Sequence, residues 1–248
     1  KELASKSFRS YKEALDCYSK FDRTVCVSNT VKDDFESIFD TKKPVEVLYN
    51  TNESEKIKKL SDEKVDDVNF SKDIINIISV AKIVPSKGYD RLMKIHKKLI
   101  EKNIKNHIYI LGIGEEKEKY EKYLTENNLT DTFTFLGYRD NPYKYVKKAD
   151  LYVCSSRREG FSTAVTEALI VGTPVVSTNC SGAYELLGKN NEYGIVTEND
   201  EDALYEGIKK MLTTPDLLEA YAAKAKERGK AFSTEKTVKA VEEMLSAL

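Results

Sequence analysis

Residues Ile74 to Ala81 read Ile-Ile-Asn-Ile-Ile-Ser-Val-Ala, a β-branched run with little polar alternation. A strand with one wet face alternates apolar and polar residues, whereas this run asks for cover on both faces. Helical patterns follow it and then recur between further strands. A helix is predicted from about Tyr89 to Lys102, then a strand in His107–Gly112, a charged helix over Glu115–Asn127 and a strand in Thr132–Gly137. A short helix at Asn141–Ala149 carries Pro142 near its first turn, where a missing N–H costs nothing. Strand Leu151–Ser155, helix Ser162–Val171, strand Pro174–Thr178, short helix Gly182–Leu187 and short strand Tyr193–Val196 come next, and helices from about Asp200, Asp216 and Ser233 finish the chain. Strands alternating with helices of these lengths predict an α/β fold, a Rossmann-like parallel sheet with helices on both faces.

In such a sheet, ligands bind outside the carboxyl ends of the strands, so candidate chemistry belongs in the βα turns. Gly112, Gly114 and Gly137 stand where strands end, and Gly172 where a helix stops. One turn stands out. Strand Leu151–Ser155 leads through Glu159 and Gly160 into a helix that Ser162 or Thr163 can cap, with Glu167 one turn inside it. The helix start offers free N–H groups and the positive end of a dipole, which suits an anion. Gly160 would let the backbone approach a ligand. Acidic residues near helix starts also complement the dipole, so either glutamate alone says little; the whole constellation says more.

Composition narrows the function class. The chain has 248 residues, a net charge of −1, 40% hydrophobic and 33% charged residues. That suits a globular protein and leaves no basic footprint for nucleic acid. No apolar run approaches the ~20 residues that span a bilayer. Cys17, Cys26, Cys154 and Cys180 match no zinc spacing, and a reducing, cytoplasmic setting is the simplest reading. His96 and His107 fall in a helical and a strand pattern and read as structural. Asp200–Asp202 has D-x-D form, but it opens a helix, where capping explains it. No metal site is expected.

Glu159-Gly160-Phe161-Ser162-Thr163-Ala164-Val165-Thr166-Glu167 resembles the E-x7-E signature of retaining glycosyltransferases of the GT-B fold, in the large family numbered four. The likeness extends to Val80–Leu92, which resembles the family's stretch ending in K-G, to Leu111–Tyr138, its G-x-G turn, helix and F-L-G strand, and to Ala149–Ser156, the strand before the signature. It covers about Ile74 to Val196.

The resemblance implies the C-terminal half of a GT-B fold and roles for named residues. Lys87, and Lys82 where the family usually has arginine, would meet the diphosphate of a nucleotide-sugar. Gly114 would belong to the donor-side G-x-G turn. The peptide around Tyr138 and Arg139 would lie against the nucleobase. Glu159 would hold hydroxyls of the donor sugar, the backbone at Gly160, Phe161, Ser162 and Thr163 would face the diphosphate, and Glu167 would accept from the ribose. Glu159, Lys87 and Lys82 are the expected catalytic set, and the rest the expected donor-binding set. Cys180 lies on the family's donor-sugar side, and Glu185 matches a glutamate often seen there, though filling a helix start is an equal reading. Arg157 and Arg158 read as surface charge at the site mouth, and Tyr143 and Tyr145 as packing of a short helix.

Implied with these are a UDP- or GDP-sugar donor, a saccharide or lipid-linked acceptor, retention of anomeric configuration and no cofactor or metal. A role in surface polysaccharide or glycolipid synthesis is implied too, in the cytoplasm or peripherally at the inner face of the membrane. Residues 1–50 resemble the end of an N-terminal acceptor domain, with 51–71 a linker and 72–248 the donor domain. A missing N-terminal domain and weak or no transfer by this chain alone are therefore expected. Competing readings are a non-catalytic nucleotide-sugar-binding subunit or scaffold, and an epimerase or phosphorylase on the same fold. The last two would need acid–base or pyridoxal-phosphate residues that the sequence does not offer.

Overall fold

The computed structural model describes residues 8–247. Six strands make one parallel sheet: β3 (Ile75–Val80), β4 (Asn106–Leu111), β5 (Phe133–Gly137), β6 (Leu151–Cys154), β7 (Val175–Thr178) and β8 (Ile195–Thr197). Their order is β5-β4-β3-β6-β7-β8. Chain order therefore reverses between β3 and β6, the doubly wound arrangement in which a crevice opens at the switch point.

The strands split their side chains between two cores, as a period of two requires. Ile77, Ile108, Ile110, Leu151, Val153 and Val176 join one core with α4 (Tyr89–Glu101), α5 (Lys117–Glu126) and α9 (Glu201–Thr213). Ile78, Tyr109, Leu111, Tyr152, Cys154 and Val175 join the other. There the cover comes from α6 (Tyr143–Lys148), α7 (Thr163–Val171), α8 (Ala183–Leu187) and α10 (Leu217–Gly229). Ile77 and Ile78 are adjacent and both fully buried, which explains the missing polar alternation of this strand.

A smaller unit precedes the sheet. It holds α1 (Tyr11–Ser19), α2 (Asn29–Ile38) and the parallel pair β1 (Thr24–Cys26) and β2 (Val45–Val47). Lys1 to Lys20 reads in sequence as a helix already under way; α1 starts at Tyr11, where Ser10 caps it by accepting from the Glu13 N–H. Residues 1–7 of that expectation lie outside the described residues. Val45 to Asn50 reads in sequence as a strand, but β2 stops at Val47, and Tyr49 stacks on Phe161 with ring centroids 4.8 Å apart.

Residues 51–71 are more than a solvated connection. They carry α3 (Ser54–Ser61), and Ile57 and Phe70 enter the core beside the sheet. The last helix, α11 (Thr234–Ser246), starts against this segment, where the Thr234 hydroxyl donates to Asn52 O (2.6 Å) and accepts from the Ser54 N–H (2.8 Å). Near its end, Arg23 donates to Ala247 O at 3.2 Å.

Candidate active site

The carboxyl ends of β3 and β6 open into a cavity of about 280 Å³. Val80, Ala81 and Lys82 line it from the β3 end; Lys87 and Tyr89 come from the turn into α4; Cys154, Ser156 and Glu159 come from the β6 end. Phe161, Ser162, Thr163 and Ala164 close it at the start of α7. Ser162 caps that helix by accepting from the Val165 N–H at 3.3 Å. The Thr163 and Ala164 N–H groups belong to the first turn and have no intrahelical acceptor, so they offer two donors at the cavity wall.

Glu159 and Lys87 are brought together. Lys87 Nζ lies 2.8 Å from Glu159 Oε1, with both side chains mostly buried at 24% and 14% exposure. Ser156 Oγ donates to the same oxygen at 2.6 Å. An ammonium has three protons, so Lys87 keeps donors beyond the one spent on Glu159. The Lys87 turn is held by its backbone: Ser155 Oγ donates to Lys87 O at 2.8 Å, and the Arg157 N–H to Ser86 O at 2.7 Å. Gly88 follows at φ 68°, and a Cβ there would stand 2.1 Å from Ser155 O. Only glycine lets the two βα turns touch at that point.

A second cavity, about 450 Å³, shares Val80, Ala81 and Lys82 with the first. Tyr138, Arg139, Ile113, Pro142 and Tyr143 line its other side. Tyr138 is 66% exposed. Arg139 is tied to Asp67 at 3.1 Å, so its charge is partly spoken for. Lys82 is exposed at the junction of the two cavities and makes no ion pair among the described residues. Glu167 lines neither cavity. Its carboxylate accepts from the Tyr143 hydroxyl at 3.5 Å, and Tyr143 is the residue that faces the second cavity. Burial pushes Glu167 up to about 7, against the downward pull of that hydrogen bond.

Two expected glycines sit elsewhere. Gly114 lines neither cavity; a Cβ there would fall 2.2 Å from Ile83 O, so its smallness serves the contact between the β4 turn and the chain after β3. Gly160 faces the small N-terminal unit, where Ser28 Oγ donates to its carbonyl at 3.2 Å. A Cβ on Gly160 would make an ordinary 3.6 Å contact with Val27, so nothing in the chain itself demands glycine there.

Other residues resolve into structural roles. Arg157 forms a two-armed pair with Asp90, both contacts 2.7 Å. Cys180 Sγ donates to Ser156 O at 2.9 Å. Tyr145 is buried and donates to Asp67. His96 is fully buried between Asn106 and Thr132, and burial lowers it to about 4. Asp200 caps α9 through the Ala203 N–H at 2.8 Å. Among the described residues, no group of three or more His, Cys, Asp or Glu could hold a metal ion, and no helix is long and apolar enough to cross a membrane.

Two features escape a sequence reading. Glu185 stands in the first turn of α8, but its carboxylate is spent on the start of the distant α2. It accepts from the Asn29 N–H (2.9 Å) and side-chain amide (2.7 Å) and from the Tyr49 hydroxyl (3.0 Å). Arg91, 4% exposed, donates to Ser155 O at 2.9 and 2.6 Å and to Ser156 O at 2.7 Å. One signal for it exists: Arg91 falls on the α4 stripe of Ile95 and Leu99, at a spacing of four, where a lone charge among apolar residues asks for buried acceptors.

The model of the family described as glycosyl transferases group 1 matches residues 61–228, more than half of the chain and all of this site. The chain belongs to that family. This group 1 chain is 34% identical over 192 residues to the N-acetylgalactosamine-N,N'-diacetylbacillosaminyl-diphospho-undecaprenol 4-alpha-N-acetylgalactosaminyltransferase of Campylobacter jejuni, covering 77% of the chain and 50% of that protein. It is 28% identical over 269 residues to an uncharacterised glycosyltransferase of Methanocaldococcus jannaschii, covering 96% of the chain and 64% of that protein. It thus spans about half to two thirds of the length of these curated relatives. In fold it resembles Anabaena HepE, solved in complex with UDP, with a TM-score of 0.82 at 18% identity over 99% of the chain and 70% of HepE. The sucrose-phosphate synthase of Thermosynechococcus elongatus gives the same TM-score and identity, over 99% of the chain and 64% of that protein.

Proposed function

We propose that this chain is the donor-binding half of a retaining glycosyltransferase of family 4, and that the whole protein moves a hexosyl group from a nucleotide-sugar to a saccharide or lipid-linked acceptor. The observation that carries the reading is the Lys87–Glu159 pair beside the open first turn of α7, at the switch-point cavity. A sugar diphosphate has an anionic end and a hydroxyl-rich end. Here donors (Lys87, Lys82, the Thr163 and Ala164 N–H groups) and an acceptor (Glu159) line one cavity, the mixture that such a molecule needs.

In this reading the bond between the anomeric carbon and the diphosphate breaks as the acceptor hydroxyl bonds to the same face of that carbon. The hydroxyl's proton passes to the departing phosphate oxygen. Negative charge grows on the diphosphate, and preorganised cations and dipoles stabilise it in a partly dry cleft. Lys87 and the start of α7 supply that countercharge, so the step requires no metal. Glu159 orients the sugar. The second cavity takes the nucleobase and ribose, with Tyr143 and Glu167 on the ribose side, and UDP or GDP as the nucleotide.

The printed names of relatives support the acceptor class. The Campylobacter jejuni enzyme is named for a diphospho-undecaprenol substrate, and a Rhizobium meliloti relative for lipopolysaccharide core biosynthesis. The alpha linkage in the former name is the product that retention from an α-linked donor would yield. Work on such acceptors would bring the protein to the inner face of the membrane. The intact cation–carboxylate pair favours transfer over mere binding by a scaffold subunit.

A thermal-shift panel of UDP-, GDP- and ADP-sugars tests the reading. One nucleotide class should stabilise the native chain, and Lys87→Ala and Glu167→Ala should each reduce the shift. Absence of any shift with the native chain would refute it.

A further inference from the structure

Ser156 is held from several sides. Its carbonyl oxygen accepts from three side chains: Arg91 Nη2 at 2.7 Å, Thr178 Oγ1 at 2.6 Å and Cys180 Sγ at 2.9 Å. Its side chain is equally directed. Cys154 Sγ donates to Ser156 Oγ at 3.7 Å, and Ser156 Oγ donates to Glu159 Oε1 at 2.6 Å. Burial pushes the Cys154 thiol up, so it stays protonated and able to donate. A hydroxyl that accepts from the thiol behind it has its one proton free to point forward. Ser156 is 3% exposed, so water has little access to that proton.

The consequence falls on Glu159. Both Ser156 Oγ and Lys87 Nζ go to Oε1. Oε2 has no hydrogen bond among the described residues, while the residue lines the cavity. A carboxylate held by one oxygen from two directions cannot rotate without breaking a charge-assisted bond.

We propose that Ser156 is a positioning residue for the donor sugar: with Lys87 it clamps Glu159 by Oε1 and leaves Oε2 as the fixed acceptor for a sugar hydroxyl. The clamp rests on the donor-site reading above and adds a residue and an atom to it. It acts only through Glu159, so it concerns the sugar and leaves the nucleotide alone. Arg91, Thr178 and Cys180 serve it from behind by fixing the Ser156 backbone.

The test compares bare nucleotides with their sugars. Dissociation constants of UDP, GDP, UDP-glucose, UDP-N-acetylglucosamine and GDP-mannose are measured on the native chain, Ser156→Ala, Ser156→Thr and Ser156→Cys. The native chain should bind one sugar-bearing compound more tightly than its bare nucleotide. Ser156→Ala should weaken that compound about tenfold, the scale of one hydrogen bond to a charged group, and bare nucleotide by no more than about twofold. Ser156→Thr keeps the hydroxyl and should recover most of the loss. Should the alanine variant not fold, Ser156→Cys, a weaker donor of similar size, should show a smaller loss confined to the sugar-bearing compound. Equal losses for nucleotide and sugar-nucleotide, no loss for either, or no preference of the native chain for the sugar-bearing form would overturn the clamp while the nucleotide site stands. No binding of any nucleotide by the native chain would overturn the donor-site reading itself, and the clamp with it.

Discussion

Lys87 and Glu159 stand 72 positions apart in the chain and 2.8 Å apart in the fold. One comes from the turn after β3 and the other from the turn after β6, so the pair exists only because those two strands are neighbours across the switch point. Lys87→Ala should weaken nucleotide-sugar binding by about 1.5–3 kcal/mol, because it removes a charge-assisted donor and leaves a mostly buried carboxylate unpaired. Lys87→Arg should restore little, since a planar fork does not fit where a point charge bridges two anions. Calorimetric titration of both variants checks this; full affinity in the alanine variant would contradict it.

Glu167 makes the site pH-dependent. Its folded value of about 7 lies above its ordinary 4.5, because burial disfavours the charged form. Between those values the folded chain keeps a proton that the unfolded chain has lost. Glu167 thus favours folding fully below 4.5, and that contribution is lost as pH rises through about 7, up to about 3 kcal/mol in all. Glu167→Gln should therefore raise the melting temperature at pH 8 and change it little at pH 5. A ribose diol prefers the carboxylate, so nucleotide affinity should rise from pH 6 to 8 in the native chain and stay flat in Glu167→Gln.

Gly88→Ala should be severe for a single methyl group. The left-handed backbone alone costs about 1–2 kcal/mol with a side chain present, and the Cβ would stand 2.1 Å from Ser155 O. Relief requires the Lys87 turn to move away from the β6 turn. The variant should melt lower and lose sugar-nucleotide binding together; loss of stability with unchanged binding would show that the turn tolerates the shift.

Glu185→Ala should loosen the small N-terminal unit. The carboxylate holds Asn29 and Tyr49 from across the fold, and hydrogen bonds to a charged group contribute roughly 1.5–3 kcal/mol. Amide hydrogen exchange over residues 28–50 should quicken while exchange in β3 and β6 stays as in the native chain. Unchanged protection in 28–50 would mean that the Tyr49–Phe161 stacking and the Ser28 and Arg23 bonds suffice to hold the unit.

The sheet was legible because Ile77 and Ile78 are both apolar and both buried, so the need for two covering layers is written in adjacent letters. Ser162 as a cap and the Glu159 turn at a strand end were legible for a similar reason, since local chemistry marks them. Ser156 and Arg91 were not legible. Arg91 meets carbonyl oxygens, one of them that of Ser156, and every residue carries such an oxygen; only the β3–β6 adjacency decides which come within reach. Gly114 and Gly160 show another limit: a glycine signals that a backbone must come close, but not to what. Ile57 and Phe70 were hidden by the charge around them, because a few apolar residues suffice to bury one side of a short helix.

The closing helix has a bearing on how the chain is made. Thr234 fastens Asn52 and Ser54, which precede it by 182 and 180 positions, and Ala247 O receives Arg23, at a separation of 224. At about 5–20 residues per second, a ribosome needs on the order of 10–45 s to supply the second partner of each contact. Through that interval the small unit of β1 and β2 waits with these fastenings unfinished. The small unit is then among the last parts to be secured, and a nascent chain that ends short of Thr234 carries the complete sheet without its strap.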